Sequence, residues 1–82
     1  MNIKIIKNIL LQQLKLEQVI INQEGNLFKI IVVGEIFNGI NTLERQKLVY
    51  HPLMSLITEN KIHALSINAY TPIEWMKCRN NK

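Results

Sequence analysis

Few side chains in this sequence can do chemistry beyond hydrogen bonding, and no motif gathers them. Two histidines, His51 and His63, one cysteine, Cys78, and the hydroxyls of Ser55 and Ser66 are the groups on offer. Hydrolysis needs a nucleophile, a base and an orienting group, or two carboxylates at a set separation, and no spacing here assembles either. Gly25, Gly34 and Gly39 stand singly instead of in a phosphate-cradling run, and read as turn, strand-bulge and loop residues. A non-enzymatic chain is therefore expected. His63 has the most useful surroundings. Alternation along residues 61–70 puts His63, Leu65, Ile67 and Ala69 on one face, with Ile62, Ala64, Ser66, Asn68 and Tyr70 on the other. The imidazole then stands where a strand begins, within reach of core and solvent. A neutral imidazole ligates metals, and its reference pKa of about 6.5 leaves a large neutral fraction at physiological pH. The plainer role is a hydrogen bond that closes the core edge, and spacing alone favours it, because no ligand pattern surrounds this histidine. His51, beside Pro52, suits a surface or capping position, and Cys78, between Lys77 and Arg79, an incidental thiol.

The elements that must hold these residues follow from periodicity. Ile5, Ile6, Ile9, Leu10 and Leu14 recur at helical spacing and predict an amphipathic helix over about residues 2–14, lying across a sheet. Residues 16–23 alternate, with Glu17, Val19 and Ile21 on one face, and Glu24-Gly25-Asn26 supplies a turn. A second strand over 27–35 puts Phe28, Ile30, Val32 and Gly34 on one face, and its Ile30-Ile31-Val32-Val33 run suits a central, covered position. Phe37-Asn38-Gly39 reads as a loop, and Asn41-Thr42 as the N-cap of a helix that continues to about residue 60. Proline disfavours the α conformation at His51, so two short helices should meet at Tyr50-His51-Pro52. The helical crossover favours parallel pairing of the 61–70 strand with the 27–35 strand. Thr71 then caps and Pro72 starts a last turn or two of helix. Residues 1–82 form one α+β domain: a three-stranded mixed sheet with helices on one face.

Composition sets the outer limits. A chain of 82 residues buries only about 60–65% of the surface it exposes when unfolded. Ten Lys and Arg against six Glu give a net charge of +4, and the cations are scattered, so the balance permits nucleic acid or an acidic partner without demanding either. One cysteine excludes an internal disulfide and suits a reducing compartment. The opening residues carry lysines and no cleavage pattern, and no apolar run reaches the length of a membrane span, so a cytoplasmic protein without a membrane partner is expected. The helices broken at Pro52 allow a DNA-binding alternative, a helix-turn-helix with Ser55, Thr58, Asn60 and Lys61 as readers and Arg45 and Lys47 on the same surface. Against it stand the scarcity of cations on residues 53–60 and the proline hinge. Tyr70 and Trp75 should pack the last helix onto the sheet, or serve as an aromatic partner anchor if exposed.

Several segments taken in order carry a resemblance. Phe28 to Val33, Phe37-Asn38-Gly39, Arg45 to Tyr50, Ile62 to Ile67, and Tyr70 to Trp75 resemble the BolA family; Val33 to Phe37 and Val49 to Met54 are similar to its IbaG-like branch. The resemblance implies an αββααβα, KH-like fold of type II topology without a GxxG loop; Tyr50-His51-Pro52-Leu53 stands where that loop would be. It further implies a monothiol glutaredoxin as partner, and a two-iron, two-sulfur cluster shared with glutaredoxin and glutathione, not bound by this protein alone. His63 matches the family's cluster-ligand histidine, and imidazole can replace thiolate on one iron of such clusters. The family's second ligand, a Cys or His between the first two strands, has no counterpart in Asn22-Gln23-Glu24-Gly25-Asn26-Leu27, which leaves Glu24, a solvent molecule or no second ligand. Arg45, Lys47, Lys61, Tyr70 and Trp75 are the candidate contact surface of a monomer or weak homodimer.

Overall fold

Apolar residues three and four apart close the first helix onto the sheet, and the computed structural model describes it from Ile3 onward, as it does residues 3–80 as a whole. Helix α1 (Ile3–Gln13) buries Ile6 and Leu10 completely, while Lys7 and Gln12 face solvent. Its expected first residue, Asn2, lies outside the described residues.

Strands β1 (Gln18–Glu24) and β2 (Leu27–Val33) form the expected antiparallel hairpin, with Val19 opposite Val32 and Ile21 opposite Ile30. Their two-residue turn places Gly25 at φ +59°, a left-handed conformation in which a side chain is strained. Strand β3 (Ala64–Tyr70) lies parallel to β2, so β2 is central, as its apolar run predicts.

Beyond β2 the structure departs from the sequence expectation. The strand ends at Val33, two residues early, and Glu35–Phe37 makes a 3-10 turn whose Phe37 is wholly buried, although its segment reads as a loop. Gly34 is not a bulge. Its backbone is extended (φ −168°) and its N–H donates to the Tyr70 carbonyl at 2.9 Å. Room is what it supplies, because a Cβ there would stand 3.0 Å from the Lys15 carbonyl oxygen and 3.2 Å from Leu16 Cδ2.

Helix α2 (Thr42–Tyr50) is capped by Asn41, whose side chain accepts the Glu44 N–H at 2.9 Å. The break falls at Pro52 as expected, yet His51 keeps α-helical angles (φ −55°, ψ −49°) against the expectation for a residue before proline. Pro52 has no N–H to continue the i→i−4 ladder, so the chain tightens into a 3-10 turn, His51–Leu53, closed by the Met54 N–H on the His51 carbonyl. Helix α3 (Met54–Thr58) follows. Residues of α1, α2, the 51–53 turn and α3 join Val19, Phe28, Ile30 and Val32 in one core, with Leu65 and Ile67 packed against it.

Helix α4 (Pro72–Asn80) is longer than the expected turn or two. Thr71 and Glu74 form a reciprocal capping box: the Thr71 N–H donates to Glu74 Oε1 at 2.9 Å, and the Glu74 N–H to Thr71 Oγ1 at 3.2 Å. The element order is αββααβα, an α+β fold.

Candidate functional site around His63

The end of α3 decides where His63 stands. Asn60 takes the left-handed conformation (φ 61°), its N–H donates to the Ile57 carbonyl at 3.1 Å, and the Lys61 N–H reaches back to the Leu56 carbonyl at 2.9 Å. These paired bonds are a Schellman ending, with asparagine where glycine is commoner. The turn drops Ile62 into the core, 2% exposed, and leaves His63 exposed. The strand begins only at Ala64, so the alternation that would align His63 with Leu65 does not extend to it. Two residues at the end of a helical turn do not obey a two-residue period.

The His63 side chain makes no hydrogen bond among the described residues, which leaves the core-closing role without a partner group. It borders a recess of about 520 Å³ with Ile5 of α1, Gln23 and Asn26 at the β1–β2 turn, Phe28, Asn60 and Lys61. The recess thus joins three stretches distant in sequence: α1, the β1–β2 hairpin and residues 60–63. Gln23, Asn26 and Phe28 cannot be assigned to it from spacing, since only the hairpin register brings that turn beside the start of β3.

No group of three or more His, Cys, Asp or Glu that could hold a metal occurs among the described residues. Glu24, the one carboxylate at the turn, pairs with Lys29 at 3.1 Å, and Gln23 Nε2 donates to the Gly25 carbonyl at 3.1 Å. Among the described residues the recess therefore has one imidazole and no second imidazole or thiolate.

The other candidates scatter. Arg45 is no surface cation. Its side chain is 14% exposed, Nε donates to the Ile40 carbonyl (2.6 Å), and Nη1 donates to the Ala69 carbonyl (3.1 Å) and Glu74 Oε1 (2.6 Å), with Nη2 on Glu74 Oε2 (3.2 Å). It ties α2, β3 and α4 together. Lys47 pairs with Glu44 at 3.6 Å and Lys61 with Glu59 at 3.4 Å. With Arg45 committed and both lysines beside carboxylates, the helix-turn-helix alternative loses its cationic face. Tyr70 and Trp75 pack against each other, ring centres 5.4 Å apart and tilted by 41°, and burial pushes the Tyr70 hydroxyl pKa up, with Cys78 adding to the shift. Glu74 completes the Arg45 tie, and its Thr71-x-x-Glu74 spacing is a legible capping-box signal that residue-type reasoning about the surface does not use.

No helix among the described residues is long and apolar enough to cross a membrane. The family described as BolA-like protein matches residues 5–74. The acid stress protein IbaG of Escherichia coli K12 is 45% identical over 74 residues, covering 90% of this chain and 88% of that protein. Among solved structures, a BolA homologue from Coxiella burnetii superposes with a TM-score of 0.79 at 34% identity, covering 93% and 97% of the two chains. A Bol-like protein from Babesia bovis gives 0.80 at 26% identity, covering 100% and 95%.

Proposed function

We infer, from the premise that this chain belongs to the BolA family, that it is a non-enzymatic cytoplasmic adaptor which docks on a monothiol glutaredoxin and takes part in iron–sulfur cluster binding or transfer. The observation that carries this reading is an exposed imidazole, His63, free of intramolecular hydrogen bonds and held at the rim of a recess by a fixed turn. A two-iron, two-sulfur cluster is the cargo, and histidine is an established donor to one iron of such a cluster. The donor set fits a shared cluster and not a private one. His63 is the ligand this chain offers, while glutaredoxin and glutathione supply thiolates. Residues 22–27 hold no Cys or His, and their one carboxylate, Glu24, is paired with Lys29, so the β1–β2 turn offers no competing thiolate or imidazole.

The Schellman turn holds the backbone before His63 and strand β3 holds it after, so little backbone freedom is lost when the imidazole engages.

Mixing the protein with cluster-loaded monothiol glutaredoxin and recording visible circular dichroism tests the proposal. The wild-type chain is expected to change the spectrum and His63→Ala to abolish most of that change. Spectra that respond equally to both proteins would remove the ligand role.

A further inference from the structure

The sheet order leaves β3 with one unpaired side. Along a strand, the N–H and C=O of one residue point to the same edge, and successive residues alternate. Because the Tyr70 carbonyl accepts the Gly34 N–H, the even-numbered residues of β3 face β2, and Leu65, Ile67 and Ala69 turn their backbone groups outward. The Arg45 bond to the Ala69 carbonyl agrees with that parity and stops the edge at its C-terminal end. What stays open is the N–H and C=O of Leu65 and of Ile67, two residues apart, as one face of an added strand requires.

Beside this edge runs a groove of about 830 Å³ between β3 and α2–α3. Its far wall carries Leu43, Tyr50 and Met54, which are 61%, 39% and 48% exposed. Proteins usually blunt a bare strand edge with lysine, proline or a bulge, and Ala64–Tyr70 contains none of these. Among the described residues, Lys47 is the charged residue lining the groove, His51 and Tyr50 are its other titratable groups, and no carboxylate lines it; Glu44, outside the lining, pairs with Lys47 at 3.6 Å, an exposed pair too weak to keep that ammonium from an incoming carboxylate. A second copy of a chain with net charge +4 is a poor match for that lining; an acidic segment is a good one.

We propose that the open edge of β3 is a docking site for an extended acidic peptide of a partner protein, which adds to the sheet as a fourth strand along Leu65 and Ile67. Its apolar side chains enter the groove against Leu43, Tyr50 and Met54, and an acidic side chain meets Lys47. Backbone bonds give such docking its affinity, and alternate side chains give it specificity. This site does not depend on His63.

The test is amide hydrogen exchange and NMR titration of the ¹⁵N-labelled full chain with a capped heptapeptide carrying glutamate at position 2 and valine at positions 4 and 6, so that all three share the strand face turned to the groove, with threonine at the other positions. Saturating peptide is expected to slow exchange at Leu65 and Ile67 at least about tenfold while Ser66 and Asn68, already bonded to β2, stay unchanged. Lysine in place of glutamate in the peptide should weaken binding about fivefold or more, and Lys47→Glu should reverse that preference. Leu43→Asp, at an exposed position that tolerates the change, should also weaken it, and His63→Ala should leave it intact, which separates this site from cluster binding. The proposal is overturned by no binding at millimolar peptide, by groove shifts without protection of Leu65 and Ile67, or by equal binding of a peptide N-methylated at its central valine. Concentration-dependent protection without peptide would assign the edge to a second copy, and stronger protection by oligothymidine would assign it to nucleic acid; either result overturns it too.

Discussion

Glu74 remains ionised far into acid because several donors converge on one carboxylate. The Arg45 hydrogen bond is the largest influence and the Thr71 N–H the next, and together they lower its pKa from the ordinary 4.5 to about 2. A carboxylate whose folded pKa is depressed stabilises the fold above its unfolded pKa, and that stabilisation is lost as pH falls through the folded value. The wild type should therefore lose stability between about pH 5 and pH 2, and Glu74→Gln should flatten that limb while keeping an oxygen to accept the Thr71 N–H. Since the Glu74 side chain is 45% exposed, solvent screening limits the loss at pH 7 to about 0.5–1 kcal/mol. Urea midpoints measured across this pH range decide the matter, and parallel curves for the two proteins would show that the charge is not coupled to folding. Arg45 illustrates how a residue type misleads when its burial is unknown: scattered arginines suggest a basic surface, whereas this one closes three elements over the end of β3.

At the level of the element, the ending of α3 sets the backbone that leads into His63. Its left-handed residue is Asn60, and asparagine visits that region at modest cost, whereas a β-branched residue there is strained. Asn60→Val should cost about 1–2 kcal/mol and displace the backbone that carries Ile62 and His63. Thermal unfolding reads the first effect, and backbone amide shifts at 61–64 read the second. Unchanged shifts would mean that His63 is positioned by the sheet alone. Much at this level was legible in the sequence. The hairpin, the parallel third strand, the Asn41 and Thr71 caps and the break at Pro52 each have a local cause that a residue type announces. The Schellman turn was not, because its signal, one asparagine after a short helix, competes with the apolar alternation that starts at Lys61 in the sequence. Phe37 was hidden for a related reason: an aromatic residue before Asn38-Gly39 looks like part of a loop until the 3-10 turn directs it inward.

For the molecule as a whole, one small core supports the His63 recess at its rim, so core and recess substitutions should separate in their effects on stability. The His63 recess combines residues from α1, the β1–β2 hairpin and the 60–63 segment that leads into β3, and no sequence window contains it; only closure of the whole sheet does. The fold class was readable from the order of elements, whereas the site's composition depended on that closure. Phe37 tests the point because it is wholly buried in that single cluster and lies far in sequence from His63. Truncating such a phenylalanine costs about 3–5 kcal/mol. In a domain this size each kcal/mol moves the midpoint by about 4–8 °C, so Phe37→Ala should lower Tm by roughly 12 °C or more in one cooperative transition. His63→Ala, at an exposed side chain without hydrogen bonds, should change stability by less than about 0.5 kcal/mol. Scanning calorimetry of both variants, with enthalpies compared against the van't Hoff values, makes the contrast measurable. If Phe37→Ala melted within a few degrees of the wild type, or in two steps, the 35–37 turn would be a separable appendage, and the rim features would not share one support.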